Sequence, residues 1–488
     1  MRPAHIFRFS LLSFVLGILA GSFLASLSPM IPLLVAALGA AFFGAWPDRR
    51  GAALLILCGS FAFGFAWVGD AERYWSEDRA EGNVTGIAEV VRKPEEKDLF
   101  RSVVVRFSSC ETDPCPRDLV SVRMPLSEDV AYGDSVRLSC AVSVPEEEWR
   151  MYYAKEGIGL TCRSGSWERL SGNGSVAGRL MVIAGRFEES LTRSLPEPES
   201  SLATGLLLGG DGRLPAEVKD DFRAAGLAHI VAVSGYNISI IAGYFLLLGI
   251  AAFLPRQKAV IFALAGTLAF VFVSGAPPSA IRAVGMAGAL MLSWWLGRRY
   301  TSVWAILFAA SLMLLANPLL LRHDLGFILS FLATIGIAFL SPVFRRMISS
   351  LRYGKFFAEA LLLTIAAELF ILPVIFMNFG MFSFMTFPAN AALLPLVPVA
   401  MLFSFLTGAF GMILPALGTI AAFPAYAVLH TIIAGASYAA SFEEATVVWD
   451  GFGWMHALLW YALLAAGLFA VRHSRRAVFQ AKAELPRL

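Results

Sequence analysis

Polar side chains interrupt the apolar segments in the second half of the chain, and these are the residues whose types could do chemistry. Ser234 and Asn237 lie three residues apart, which places them on one face of a helix, and Gly235 can loosen that helix beside them. Polar groups that face lipid are costly, so they usually face a cavity or one another. The pattern predicts either a water-filled path or an ordinary polar contact between helices, and the sequence leaves both open.

A second polar group surrounds Arg282. Two prolines, Pro277 and Pro278, precede Ser279 and Arg282, which again lie three residues apart. This pattern is typical of a discontinuous membrane span whose polar face lines an aqueous path. Arg282 could instead extend along its span to the membrane surface. We favour the path, because burying an arginine without a partner is costly.

Acidic and amide side chains form a third group further along the chain. Asp324 and Ser330 lie at the start of one apolar segment, Glu368 lies deep within the next, and Asn390 lies between two prolines. An acid inside a membrane span indicates a functional site. A structural ion pair between Glu368 and Arg282 would explain both residues equally well, so that alternative stays open.

No enzyme signature accompanies these residues. The chain has no glycine-rich loop that ends in Gly-Lys-Ser or Gly-Lys-Thr, so we expect no P-loop nucleotide site. The histidines are scattered without metal-ligand spacing, so we expect no metal and no cofactor. The protein is therefore predicted not to be an enzyme.

Membrane-spanning helices must position these polar residues. The chain is 57% hydrophobic and 15% charged, whereas soluble domains are about 25% charged. Apolar runs close to the roughly 20 residues that cross the hydrocarbon recur along both ends of the chain, and we count about 12 of them. The predicted fold class is a mainly α-helical polytopic membrane protein with an inserted small β-barrel. The net charge of +3 is too small to name a partner.

The polar stretch after the first three spans has a different periodicity. From Gly82 to about Trp167, apolar and polar residues alternate over short runs, which is typical of half-buried strands. Roughly five strands suit a small closed barrel, for which an OB-like fold is the economical candidate. Arg101, Arg106 and Arg123 on these strands could bind a single strand of DNA, although a purely structural role explains the barrel as well.

Four of the five cysteines fall in this polar stretch. Their clustering favours two disulfides and an oxidising compartment, whereas the alternative is four free thiols in a cytoplasmic domain. Three connectivities are open, and proximity favours Cys110 with Cys115 and Cys140 with Cys162.

Basic residues in the connections predict the orientation of the chain. Arg49 and Arg50 follow the second span and should be cytoplasmic, and Lys or Arg then recur at every second connection. The pattern predicts an inner-membrane protein with both termini in the cytoplasm and the barrel on the outer face. The predicted organisation is N-terminal spans in 1–70, the OB-like domain in 71–172, amphipathic interfacial helices in 173–226, a span module in 227–472 and a basic tail in 473–488.

Four ordered sequence elements carry a resemblance to a known family. They are residues 229–237, 275–283, 317–333 and 379–390. Together they resemble the signature elements of the ComEC family of competence DNA-uptake channels, and with the barrel and the opening spans the similarity covers nearly the whole chain. Asn237 stands where that family more commonly has His, and Glu368 stands where it often has Gln.

The resemblance implies transport of single-stranded DNA across the cytoplasmic membrane during natural transformation. The expected partners are the lipid bilayer, a DNA receptor, a cytoplasmic helicase and a separate nuclease. The nuclease is expected to be separate because this sequence lacks the metallo-β-lactamase-like domain with which many members end. The oligomeric state stays open. The alternative function is secondary transport of a small anionic solute or envelope precursor. The residues expected to line the path are His229, Ser234, Gly235, Asn237, Ser279, Arg282, Asp324, Ser330, Glu368 and Asn390.

Overall fold

The computed structural model describes residues 3–24, 30–45, 49–77, 79, 81–96, 99–112, 115–128, 130–171, 176–209, 214–231, 234–275, 278–295, 302–347 and 355–483. It is 71% helical, which confirms the mainly α-helical class. The helices in the described residues are α1 (Pro3–Leu24), α2 (Ile31–Ala45), α3 (Arg49–Ser76), α4 (Glu147–Ala154), α5 (Val176–Ser194), α6 (Glu199–Leu208), α7 (Ala216–Ala224), α8 (Ala228–Val231), α9 (Gly235–Ala251), α10 (Arg256–Val273), α11 (Pro278–Trp295), α12 (Ser302–Ala316), α13 (Leu320–His323), α14 (Leu325–Met347), α15 (Lys355–Phe379), α16 (Thr386–Leu393), α17 (Leu396–Ile413), α18 (Pro415–Ala440) and α19 (Trp454–Ala483).

Several of these helices can cross a membrane. Within the described residues, seven are long and apolar enough, namely those in α1, α3, α10, α14, α15, α17 and α18. Shorter apolar helices lie in α2, α9, α12 and α19. The chain therefore has several candidate membrane spans, while the number of about 12 stays a prediction.

The predicted barrel is present as one closed sheet. Its strands are β1 (Gly82–Val90), β2 (Glu95–Glu96), β3 (Arg101–Cys110), β4 (Leu119–Met124), β5 (Ser135–Ser143) and β6 (Ile158–Ser171). They follow the order β1-β5-β6-β4-β3-β2, and a further pairing of β1 with β3 closes five of them into a barrel. β4 and β6 run parallel, whereas the other pairs are antiparallel. A separate two-stranded sheet joins β7 (Met381–Ser383) to β8 (Thr446–Val448).

Alternation along the strands builds the barrel core. On β3, Val103, Val105 and Phe107 are buried while Arg106 is exposed, because successive side chains of a strand point to opposite faces. The core also takes residues from β1, β4, β5 and β6. The period-two pattern therefore predicted half-buried strands correctly, but it did not reveal α4, which lies between β5 and β6.

One of the two favoured disulfides is present. Cys110 and Cys115 are bonded, with their Cα atoms 5.6 Å apart. The pairing of Cys140 with Cys162 was wrong, because the structure has both as thiols. On the paired strands β5 and β6, Cys140 faces Gly165 and Cys162 faces Val142, so the two cysteines are diagonal neighbours, and their side chains form a hydrogen bond instead of a disulfide. A hydrogen bond with Cys162 and burial raise the pKa of the Cys140 thiol.

The chain divides into two compact units. Unit 1 comprises Met1–Asp220, Ala228–Phe331 and Leu393–Gly435, and it contains the barrel. Unit 2 comprises Asp221–Leu227, Leu332–Ala392 and Ala436–Leu488. In unit 1, α6 is buried along its whole length, and α5 packs on α17 through a hydrogen bond from the Ser190 hydroxyl to the carbonyl of Gly408. The interfacial position predicted for 173–226 stays a prediction.

Candidate functional site

Arg282 lies in the first turns of α11, where the local sequence fixes its position. Gly275 follows α10 with a φ of 83°, which glycine adopts without strain. Pro278 then begins α11, and proline suits the first helical position because its φ is already fixed. Arg282 follows one turn later and is only 5% exposed. The arginine is therefore buried in the protein, which the outward-reaching alternative did not expect.

Asp324 immediately precedes α14 and caps it. Its Oδ1 accepts a hydrogen bond from the backbone N–H of Phe327 at 3.0 Å, the contact that an aspartate N-cap commonly makes. Phe327 is buried and packs on Phe331, with ring centroids 4.4 Å apart, which holds the start of the helix in place. The Asp324 carboxylate is thereby fixed in a buried position.

Arg282 and Asp324 border the same space beside Gly326. A methyl group added at Gly326 would lie 3.1 Å from Oδ1 of Asp324 and 3.4 Å from Nη2 of Arg282. The negative charge of Asp324 acts on the guanidinium of Arg282. The structure thus brings together one residue from the second polar group and one from the third.

Lys155 adds a second cation that the sequence analysis missed. It directly follows α4, and its Nζ lies 3.9 Å from Oδ2 of Asp324 with both side chains largely buried. The backbone carbonyl of Lys155 accepts a hydrogen bond from Nδ2 of Asn317 at 2.7 Å. Asn317 belongs to the third recognised element, but no local pattern connects it with a lysine of the barrel domain. Only the long-range packing could reveal this contact.

Tyr152 covers one side of Lys155. The lysine Nζ lies 4.5 Å from the centre of the tyrosine ring, within the range of a cation–π contact. Burial, followed by the negative charges of Glu156 and Glu95, raises the pKa of Tyr152 to about 12. The phenol is therefore protonated at physiological pH, and it adds no negative charge beside Lys155.

Ser234 and Asn237 contact each other, as their spacing predicted. Ser234 caps α9, and its hydroxyl donates a hydrogen bond to Oδ1 of Asn237 at 3.1 Å. Asn237 is buried, and its Nδ2 donates to the carbonyl of Leu206 on α6 at 3.3 Å. These are the contacts of an ordinary polar helix interaction, the second interpretation of the sequence pattern. A part in a path stays a prediction for both residues.

The remaining predicted path residues differ in their exposure. In unit 1, His229 and Gly235 are exposed, whereas Ser279 and Ser330 are half-buried on α11 and α14. In unit 2, Glu368 on α15 and Asn390 on α16 are buried, and neither Oε2 of Glu368 nor Oδ1 of Asn390 has a hydrogen-bond partner within the described residues. The proposed ion pair of Glu368 with Arg282 stays a prediction.

A cavity of about 240 Å³ lies elsewhere, between α1, α3 and α12. Its walls are mostly apolar and contain none of the predicted path residues. They are formed by Ser10, Leu11, Phe14, Ser60, Phe63, Phe308, Ser311, Leu312 and Leu315.

The cluster of Arg282, Asp324 and Lys155 is suited to binding an anion. It holds two cations against one carboxylate, and the N-terminus of α14 adds a partial positive charge. Nε of Arg282 has no hydrogen-bond partner among the residues that the structure describes. In the same residues, no group of three His, Cys, Asp or Glu could hold a metal ion.

Comparisons with known proteins place Arg282 and Asp324, but not Lys155, inside a matched region. The family model described as Competence protein matches residues 206–474, just over half of the chain. ComE operon protein 3 of Bacillus subtilis (strain 168) is 28% identical over 207 residues, which are 42% of this chain and 26% of that protein. An uncharacterized protein of Aquifex aeolicus (strain VF5) is 31% identical over 199 residues, which are 40% of this chain and 44% of that protein. The matches thus span less than half of either relative, and no solved structure matches the chain.

Proposed function

Since the chain belongs to the Competence protein family, with a ComEC-like sequence, we propose that it takes part in competence DNA uptake by carrying single-stranded DNA across the inner membrane. The observation that carries the proposal is the family match over 206–474, because this region contains all ten predicted path residues. The multiple apolar helices support a position in the inner membrane.

The geometry around Arg282 supports an anionic substrate. A buried arginine beside a buried lysine is costly unless an opposite charge compensates both, and Asp324 supplies only one negative charge. A nucleic acid backbone carries one negative charge per phosphate and could supply the rest. We propose that the protein is a transporter rather than an enzyme, and that a DNA receptor, a cytoplasmic helicase and a separate nuclease work with it.

A deletion strain tests the proposed function. We expect deletion to abolish transformation by a linear marker and to prevent the entry of labelled DNA into the cytoplasm. Complementation should succeed with the wild-type gene and fail with Arg282→Ala, while Arg282→Lys should recover only part of the activity, because lysine lacks the planar fork of arginine. Normal transformation of the deletion strain would overturn the proposed function.

A matched variant controls for the loss of a positive charge. Lys258 is an exposed residue near the start of α10, so Lys258→Ala removes one charge from a position outside the cluster. It should complement the deletion like the wild type, with the amount of each variant in the membrane measured by immunoblotting. Equal loss with Lys258→Ala and Arg282→Ala would remove Arg282 from the proposed mechanism.

Glu368 favours a second candidate function. A buried acid without a hydrogen-bond partner for Oε2 is an arrangement that proton-linked transporters use. Secondary transport of a small anionic solute or envelope precursor would then require Glu368 to gain and lose a proton. Glu368→Gln should abolish a pH-dependent solute flux in that case, whereas DNA uptake in the same strain should change little.

A further inference from the structure

The cluster beside Gly326 has more positive charge than its carboxylate can compensate. Asp324 lies near both Arg282 and Lys155. Two other acids act on the neighbouring Tyr152: Glu156 is already paired with Arg92 at 2.7 Å, and Glu95 has an interaction of its own. Tyr152 is protonated and adds no charge. One positive charge in this buried cluster therefore lacks a partner within the described residues.

Donor groups for an anion meet at this place. Gly326 is exposed and has no side chain, and the space beside its backbone is taken by Oδ1 of Asp324 and Nη2 of Arg282, so an anion can enter only where the Asp324 carboxylate moves away. Nε of Arg282, a residue that is 5% exposed, has no hydrogen-bond partner in the described part of the chain. The N-terminus of the long helix α14 lies at the same place, and its first backbone N–H groups have no partners within the helix.

We propose that Arg282, Lys155 and the N-terminus of α14 form a binding site for a backbone phosphate of single-stranded DNA, and that the Asp324 carboxylate occupies this site until the phosphate displaces it. The proposal rests on the proposed function and names the contact through which the substrate is held. Asp324 resembles the phosphodiester in carrying one negative charge and oxygen acceptors. It therefore compensates the cations in the empty state and competes with the substrate.

Competition by Asp324 and a purely structural role of Asp324 predict opposite effects on DNA binding when its charge is removed. If Asp324 only stabilises the fold, its neutralisation should weaken the protein and leave DNA binding unchanged or lower. If Asp324 competes with phosphate, Asp324→Asn should strengthen DNA binding. The variant keeps an oxygen that can accept the hydrogen bond from Phe327, and asparagine is as good an N-cap as aspartate, so α14 keeps its start.

The experiment measures binding of a fluorescein-labelled oligothymidylate to the full-length chain in detergent micelles by fluorescence anisotropy. For Asp324→Asn we expect a dissociation constant lower by about fivefold or more, because the competing carboxylate is gone. For Arg282→Ala we expect a dissociation constant higher by about tenfold. The slope of log Kd against log salt should become smaller by about 0.7 in Arg282→Ala, the value for one lost phosphate contact to a single strand.

Two further variants test whether the gain in DNA affinity comes from the loss of the Asp324 carboxylate. In the double variant Arg282→Ala with Asp324→Asn, the gain should disappear, because Asp324 competes only where Arg282 binds. Glu199→Gln removes a different buried carboxylate, which contacts His430 at 2.8 Å, and it should bind like the wild type. A gain in Glu199→Gln, or a gain that persists in the double variant, would overturn the proposal.

Competitors distinguish the sources of the phosphate. An abasic strand with the same phosphodiester backbone should displace the oligothymidylate from Asp324→Asn, and inorganic phosphate should do so only at much higher concentration. Displacement by phosphatidylglycerol but not by the abasic strand would assign the site to lipid and overturn the proposal. An unchanged or weaker affinity in Asp324→Asn, with thermal stability retained, would also overturn it. These outcomes leave the proposed function untouched, whereas normal transformation of the deletion strain overturns the proposed function whatever the binding measurements give.

Discussion

At the scale of single residues, the environment of Arg282 decides its chemistry. The arginine is buried near an acid that also pairs with a lysine, and Gly326 beside the arginine and the acid has no side chain that would crowd them. A guanidinium at the membrane surface would have been solvated and would have needed none of these neighbours. The buried position therefore supports a specific role in recognising a negative charge.

A substitution at Gly326 tests the role of Arg282 in recognising a negative charge, and it removes no charge from the cluster. Gly326→Ala would place a methyl group 3.1 Å from Oδ1 of Asp324 and 3.4 Å from Nη2 of Arg282. We expect lower DNA uptake, because the methyl group crowds both groups, while stability changes by less than about 1 kcal/mol, since alanine also improves helix propensity by about that amount. Uptake of labelled DNA and thermal unfolding would measure the two effects.

Gly285 is the matched control for that variant. It lies on α11 with no heavy atom within 4 Å of an added methyl group. Gly285→Ala should leave DNA uptake unchanged. Equal uptake in the two alanine variants would argue against a crowded space at Gly326.

At the scale of elements, the barrel has two parts in the structure: its strands form a core from alternating buried residues, and its helix α4 leads to the ion pair of Lys155 with Asp324. Its strands bury Val, Leu and Phe inward, so the closed sheet holds its own core. The same domain supplies Lys155 from the end of α4, which reaches Asp324 at the start of α14. The barrel thereby provides one of the charged groups of the candidate site as well as a folded domain.

The cysteines of the barrel give a chemical test of its structure. After unfolding without reductant, iodoacetamide should label Cys140 and Cys162, while Cys110 and Cys115 should become labelled only after reduction. In the folded protein, Cys140 should react slowly even at mildly alkaline pH, because its pKa is raised and the thiolate is the reactive form. Mass spectrometry of the peptides would measure the labelling. A need for reductant at Cys140 and Cys162 would restore the second disulfide.

At the scale of the whole molecule, the apolar helices and the ComEC-like relative indicate an inner-membrane protein. The side on which each connection lies stays a prediction from the basic residues. The bonded pair Cys110 and Cys115 agrees with an oxidising compartment for the barrel.

Single-cysteine variants can measure on which side of the membrane each of two positions lies. Ser127 lies in an exposed turn of the barrel domain, and Lys258 lies in a connection predicted to be cytoplasmic. In intact spheroplasts, a membrane-impermeant maleimide should label Ser127→Cys but should label Lys258→Cys only after permeabilisation. Both variants are made with Cys58→Ser, because Cys58 is a partly exposed thiol, whereas Cys140 and Cys162 are buried and Cys110 and Cys115 are bonded. The reverse labelling pattern would contradict the predicted orientation.

The amino-acid sequence alone determined the class of the protein, the barrel and the family. Apolar run length and period-two alternation are local properties, so they identified spans and strands directly. The order of the sequence elements identified the family, and the spacing of Ser234 and Asn237 predicted their contact, because residues three apart on a helix are neighbours.

Only the tertiary structure decided which distant side chains meet. It placed Lys155 beside Asp324, turned Asn237 toward the carbonyl of Leu206 and kept Cys140 unbonded to Cys162. These outcomes depend on strand register and on how helices pack against one another, and local periodicity contains neither. The physical reason is that a contact between residues far apart in sequence is fixed by the whole folded core rather than by the residues that make it.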